Sequence, residues 1–107
     1  MPIANLKMFG QRSDGPLFEI TLEVLAPRLV GTQPEEWACQ VEIRPLPGGH
    51  YDPHGASSLQ ALTLAIRAGL WHLQHFSEEG GVLLFETGSP FDFGPFLVEL
   101  WGKNGDA

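Results

Sequence analysis

Hydrophobic positions follow a helical period in one stretch of the chain and alternate in twos almost everywhere else. Residues 57–77 read SSLQALTLAIRAGLWHLQHFS. At roughly 100° per residue, Leu59, Leu62, Ala65, Ile66, Gly69, Leu73 and Phe76 share one broad face. Gln60, Thr63, Arg67, Gln74 and Glu78 form a narrow polar stripe opposite, and Trp71 falls inside that stripe beside Arg67 and Gln74. Ser57 or Ser58 caps the first turn, because a serine oxygen accepts an orphan backbone N–H there. The run Glu79-Gly80-Gly81 ends the helix, glycine being suited to the left-handed C-terminal position.

The period of two predicts strands. Over residues 17–25, Phe18, Ile20, Leu22 and Val24 point one way while Glu19, Thr21 and Glu23 point the other. Over residues 37–44, Trp37, Cys39, Val41 and Ile43 alternate with Ala38, Gln40, Glu42 and Arg44. Weaker patterns place strands at 3–9, 82–85 and 96–101, and the Asp-Gly and Pro of residues 11–16 make a turn that pairs the first two strands as a hairpin. Residues 26–36, 45–56 and 86–95, rich in Gly and Pro, are expected as loops. The order β-β-β-α-β-β predicts an α+β fold: an antiparallel sheet of about five strands with one long helix on one face. Phe18, Ile20, Leu22, Trp37 and Cys39 are expected to meet Leu62, Ile66 and Leu73. All 107 residues are read as one domain, with 102–107 as a mobile tail.

Charge narrows the classes of function. Thirteen Asp and Glu against six Lys and Arg give a formal net charge of −7. The cations are scattered, whereas nucleic acid needs them clustered to neutralise phosphates, and an anionic membrane surface has the same requirement. Acidity suits solubility or a basic protein partner steered in by charge. The single Cys39 forms no internal disulfide and suits a reducing compartment. No signal peptide and no apolar run of membrane-spanning length is visible, so the expected location is cytoplasmic.

Candidate chemistry is sparse. His50, Asp52 and His54 in GGHYDPHG carry ligand types for zinc or another transition metal at alternate spacing. Pro53 interrupts them, and no remote motif supplies further ligands. His72 and His75 lie three apart on the helix, without the Glu of an H-E-x-x-H arrangement. Cys39 sits among apolar neighbours, where a thiol is inert. Phosphate loops and a serine elbow are absent. The paired acids Glu35-Glu36 and Glu78-Glu79 diverge as neighbours do. No catalytic residue and no cofactor is assigned, and the chain is read as non-enzymatic.

Trp71 is the residue that the core does not obviously need. Either Phe91, Phe93 or Trp101 folds over it, or it forms an exposed patch with Leu64 and His75, flanked by Arg67. Trp and Arg are enriched at binding hot spots, and Glu78, Glu79, Glu86 and Asp92 could supply an acidic rim.

The strand with Trp37 and Cys39, the Gly-rich bend, and the helix opening Ser58-Leu59-Gln60-Ala61-Leu62 and continuing Leu64-Ala65-Ile66 resemble a family of small uncharacterised bacterial proteins. The stretch Phe91-Asp92-Phe93-Gly94-Pro95-Phe96 is similar to a diverged form of that family's Gly-Asp-Leu-Gly-Phe-Pro loop. The resemblance covers residues 37–96. It implies a bacterial source and an α+β fold and carries over no catalytic residues. Small acidic proteins of this kind look like immunity proteins of bacterial toxin systems. The leading expectation is therefore a protein-binding domain acting on a basic toxin through Trp71, Arg67, Leu64, His75, Glu78, Glu79 and Asp92. The alternatives are a metal- or small-molecule-binding domain and a self-associating domain that forms homodimers.

Overall fold

The computed structural model describes residues 1–96. The fold is α+β: a five-stranded antiparallel sheet carries one helix on one face, and a second, three-stranded antiparallel sheet stands beside it. The strands are β1 (Pro2–Gln11), β2 (Phe18–Leu25), β3 (Arg28–Thr32), β4 (Glu35–Ala38), β5 (Val41–Arg44), β6 (His50–Tyr51) and β7 (His54–Gly55). Helix α1 (Ser58–Glu78) follows, then β8 (Val82–Leu84) and a short 3-10 turn, Gly94–Phe96. The large sheet has the order β6-β5-β2-β1-β8 and the small one β3-β4-β7.

The expected β1–β2 hairpin is present, pairing Leu6 with Leu22 and Met8 with Ile20. Its turn is closed by Gly15 N–H donating to the Arg12 carbonyl at 2.8 Å. The segment read as one strand over 37–44 is instead divided. β4 belongs to the small sheet and β5 to the large one, and the chain changes sheet at Cys39 and Gln40. Ala38 and Cys39, expected on opposite faces, are both fully buried. A residue between two sheets has cover on both sides, so strict alternation stops there even though the apolar pattern continues. The expected loops at 26–36 and 45–56 contain β3, β6 and β7. The strand expected at 96–101 begins on a residue of the 3-10 turn, and its remainder lies outside the described residues.

The helix ends follow from the sequence. Ser57 is the N-cap, its Oγ accepting from Gln60 N–H at 3.0 Å, while Gln60 Oε1 accepts from Ala56 N–H at 2.6 Å. This reciprocal arrangement satisfies two otherwise orphan donors. At the other end Gly80 N–H donates to Ser77 and Gly81 N–H to Phe76, with Gly80 at φ 101°. That is the bonding of a Schellman turn.

The core lies between α1 and the large sheet. Met8, Ile20, Leu22, Val24, Val41 and Ile43 meet Ala61, Ala65, Leu73 and Phe76. Gly69 is where the helix comes closest to the strands: a Cβ there would lie 2.9 Å from Leu22 Cδ1 and 3.1 Å from Val41 Cγ2. The helix therefore seats on its small residues; Ala65, Gly69, Leu73 and Phe76 of the expected face are buried, Leu62 packs at its margin, and Ala61 joins them. Ile66 is 41% exposed and Leu59 70% exposed, so neither belongs to the core. Arg12 closes one end of the core, its guanidinium 5.5 Å from the Phe18 ring and 5.2 Å from Phe76. On the opposite, solvent side of the sheet, Lys7 pairs with Glu19, Arg44 with Glu23 and Glu42, and His50 with Glu42. No helix of the described residues is long and apolar enough to cross a membrane.

Candidate functional site

Seating the helix on Ala61, Ala65 and Gly69 leaves a row of side chains pointing away from the sheet. Arg67, Trp71, His75 and Glu79 follow one another at intervals of four, which places them side by side along α1. The Trp71 and His75 rings are stacked, with centroids 5.3 Å apart and planes 11° from parallel. His75 Nε2 lies 3.0 Å from Glu79 Oε2. Trp71 is 56% exposed, which decides between its two expected settings as far as Phe91 and Phe93 are concerned. Phe91 packs instead with Phe85, Phe93 and Phe96, and both Phe91 and Phe93 rest on the main core. Trp101 lies outside the described residues.

Other members of the expected patch fall as follows. Leu64 is half-buried on the same flank of α1, and Glu78 is exposed beside Glu79 in the last turn. Two carboxylates at a helix C-terminus oppose the helix dipole, an arrangement that costs about 0.3–1 kcal/mol per charge at a surface. Glu79 offsets part of that cost through its contact with His75. Asp92 belongs to the loop after β8, where its Oδ1 accepts from Gly94 N–H at 2.9 Å and fixes that loop's own bend. Glu86 is exposed in the turn that follows β8.

The histidine and aspartate set at 50–54 diverges. His50 is on β6 and faces Glu42, Nδ1 to Oε2 3.3 Å. His54 is on β7, in the other sheet, and its Nδ1 lies 2.5 Å from Glu36 Oε2. Asp52, between them, holds the Arg28 guanidinium with two hydrogen bonds of 3.1 and 2.7 Å. That fork keeps the Asp52 carboxyl below the usual carboxylate range and Arg28 above the usual range of its own group. Among the described residues no three His, Cys, Asp or Glu are grouped to hold a metal ion. Pro53 separates two extended dipeptides that join different sheets, so alternate spacing does not become convergence.

The two helix histidines also part company. His72 Nε2–H donates to the Pro47 carbonyl at 3.0 Å, which leaves Nδ1 to accept from the Tyr51 hydroxyl at 2.6 Å. His72 thus ties α1 to β6 and to the preceding turn, while His75 supports Trp71. Cys39 is fully buried, and its thiol donates to the Leu25 carbonyl at 3.2 Å. Burial pushes that thiol up from its ordinary value and so disfavours the thiolate. An open hollow of about 410 Å³ beside the β5–β6 turn contains Glu42 and His50. Glu42 is also held by Arg44, which lines the same hollow.

One exposed element had no counterpart in the sequence pattern. β3 and β4 form a hairpin in which none of the five residues of β3 is buried, and Leu29 and Val30 are 49% and 43% exposed. The segment reads RLVGT between two prolines, and its only strand signal is the pair Leu29-Val30. Too short to show alternation, it reads as loop.

No family model, no curated protein and no solved structure matches this chain. Its function is therefore argued from its own surfaces.

Proposed function

We propose that this chain is a non-enzymatic, protein-binding domain of the cytoplasm that captures a basic partner, in the manner of a bacterial immunity or antitoxin-like inhibitor. The observation that carries the reading is Trp71: a tryptophan more than half exposed, held flat against His75 on the outward side of the one helix. Large rigid aromatics with one exposed face are the usual anchors of protein interfaces. Its surroundings carry both signs, with Arg67 one turn before it and Glu78 and Glu79 at the helix end after it. A net charge of −7 speeds capture of a cationic protein by steering it in. A free, buried cysteine suits the cytoplasm. The proposed contacts are Trp71, Arg67, Leu64, His75, Glu78 and Glu79, with Asp92 outside the row.

The test is a pull-down from cells of the source organism with the wild-type chain and with Trp71→Ala. The wild type is expected to retain a protein of high isoelectric point, with retention at least tenfold lower for the variant. Equal retention by both, or no retained protein, overturns the reading. Trp71→Ala removes an exposed ring, so its melting temperature is expected to stay close to that of the wild type.

A further inference from the structure

We propose that the β3–β4 hairpin is a second docking surface, and that its occupant is a basic segment of a partner protein. The inference rests on the partner-binding reading above but concerns a different part of the molecule. Side-chain contacts brace the hairpin although its tip lies outside the core. Trp37, half-buried against the core, roots it, and the Trp37 indole N–H donates to Glu35 at 2.5 Å. The Arg28–Asp52 fork and the His54–Glu36 contact tie both strands of the hairpin to β7 and its approach. On this braced frame Leu29 and Val30 follow one another along β3, and both are exposed. Two consecutive exposed aliphatics on an edge strand contribute little packing to this fold and are available for a partner to cover.

Charge selects the occupant. The hairpin and its approach bring Glu35, Glu36 and Asp52 around the aliphatic pair against one cation, Arg28, which Asp52 already neutralises. Glu35 accepts from the Trp37 indole and Glu36 meets His54, yet both carboxylates are exposed, and the excess of acid over Arg28 favours lysine or arginine. A second copy of the chain is a poor occupant for two reasons. Its hairpin carries the same negative charges, and edge-to-edge pairing needs a regular ladder. The β3 register shifts between Leu29 and Gly31, leaving Val30 with no residue opposite it, and a bulge of this kind turns an edge away from strand addition.

The experiment uses the full chain, isotope-labelled, and an octapeptide of alternating lysine and leucine as the probe. Backbone amide shifts are expected to concentrate on Arg28–Thr32 and on Glu35 and Glu36. Leu29→Ser with Val30→Ser is expected to weaken binding at least tenfold without changing the melting temperature. Glu35→Gln with Glu36→Gln, which leaves the aliphatic pair in place, is expected to weaken binding and to flatten its salt dependence. Trp71→Ala is expected to leave this site unaffected. Shifts confined to the Trp71 row would overturn the hairpin proposal while favouring the helix reading. Shifts nowhere would count against both. A dimer in light scattering that the double serine variant dissolves would show a second copy as occupant and overturn the proposal.

Discussion

The seat of α1 on the large sheet and the β3–β4 hairpin are built on opposite terms. At the seat, small residues let two elements approach until a Cβ on Gly69 would crowd Leu22 and Val41, and the surrounding side chains are fully enclosed. In the hairpin, Trp37 and Ala38 anchor one strand in the core, while backbone pairing and two surface ion pairs hold a second strand whose aliphatics remain in solvent. Burial of large side chains, worth about 1.5–3 kcal/mol each, accounts for the first. Nothing comparable accounts for Leu29 and Val30.

The comparison breaks most visibly at Leu73 and Leu29. Leu73 is fully buried, so Leu73→Ala is expected to cost about 2–5 kcal/mol in denaturant unfolding. Leu29→Ala is expected to stay within about 0.5 kcal/mol of the wild type, the usual range for a surface change. Equal losses at the two positions would mean that the hairpin is part of the core.

A smaller effect is expected at the start of the helix. Ser57→Ala removes the acceptor for Gln60 N–H and is expected to cost about 0.5–2 kcal/mol. The equivalent change at Ser58, which lies one residue inside the helix, is expected to cost less. A reversed order would move the cap to Ser58.

The smallest and most local effect concerns acid. Asp52 is held below its unfolded value chiefly by the hydrogen bonds from Arg28, with the nearby His54 and His50 contributing in the same direction. A carboxylate depressed in the folded state stabilises above its unfolded pKa of about 3.9. That contribution is lost as pH falls through the lower folded value. Protection of the Arg28–Thr32 amides, relative to their intrinsic exchange rates, is therefore expected to fall below about pH 4, ahead of protection at Leu22 or Leu73. In Asp52→Asn that acid step is expected to disappear. Protection lost from the core first would remove Asp52 as the hairpin's fastener.

How much of this was legible in the sequence depends on the length over which a pattern repeats. Helix α1 spans 21 residues with caps at both ends, and its expected start and finish differ from the observed ones by one residue. β2 alternates over eight residues, and Ile20, Leu22 and Val24 are buried as the alternation predicts. β3, β6 and β7 have five, two and two residues, too few for any period. The candidate site shows the same division. Trp71 stood out because one large aromatic interrupts a polar stripe. His50, Asp52 and His54 looked like a set because spacing along a chain is visible, whereas their partners Glu42, Arg28 and Glu36 come from other strands.

The sequence by itself determined the helix with its caps, the main hairpin, the α+β class and the excess of negative charge, since each is a local or compositional property. The tertiary structure alone decided three other matters. It divided the segment after Glu36 between two sheets, because burial of Ala38 and Cys39 depends on what stands on each side of them. It shifted the buried face of α1 to take in Ala61 and to leave Leu59 and Ile66 outside, because close approach at Ala65 and Gly69 sets how the helix sits. It also set Trp71 and His75 together on the outer side of the helix and left Leu29 and Val30 uncovered at the hairpin.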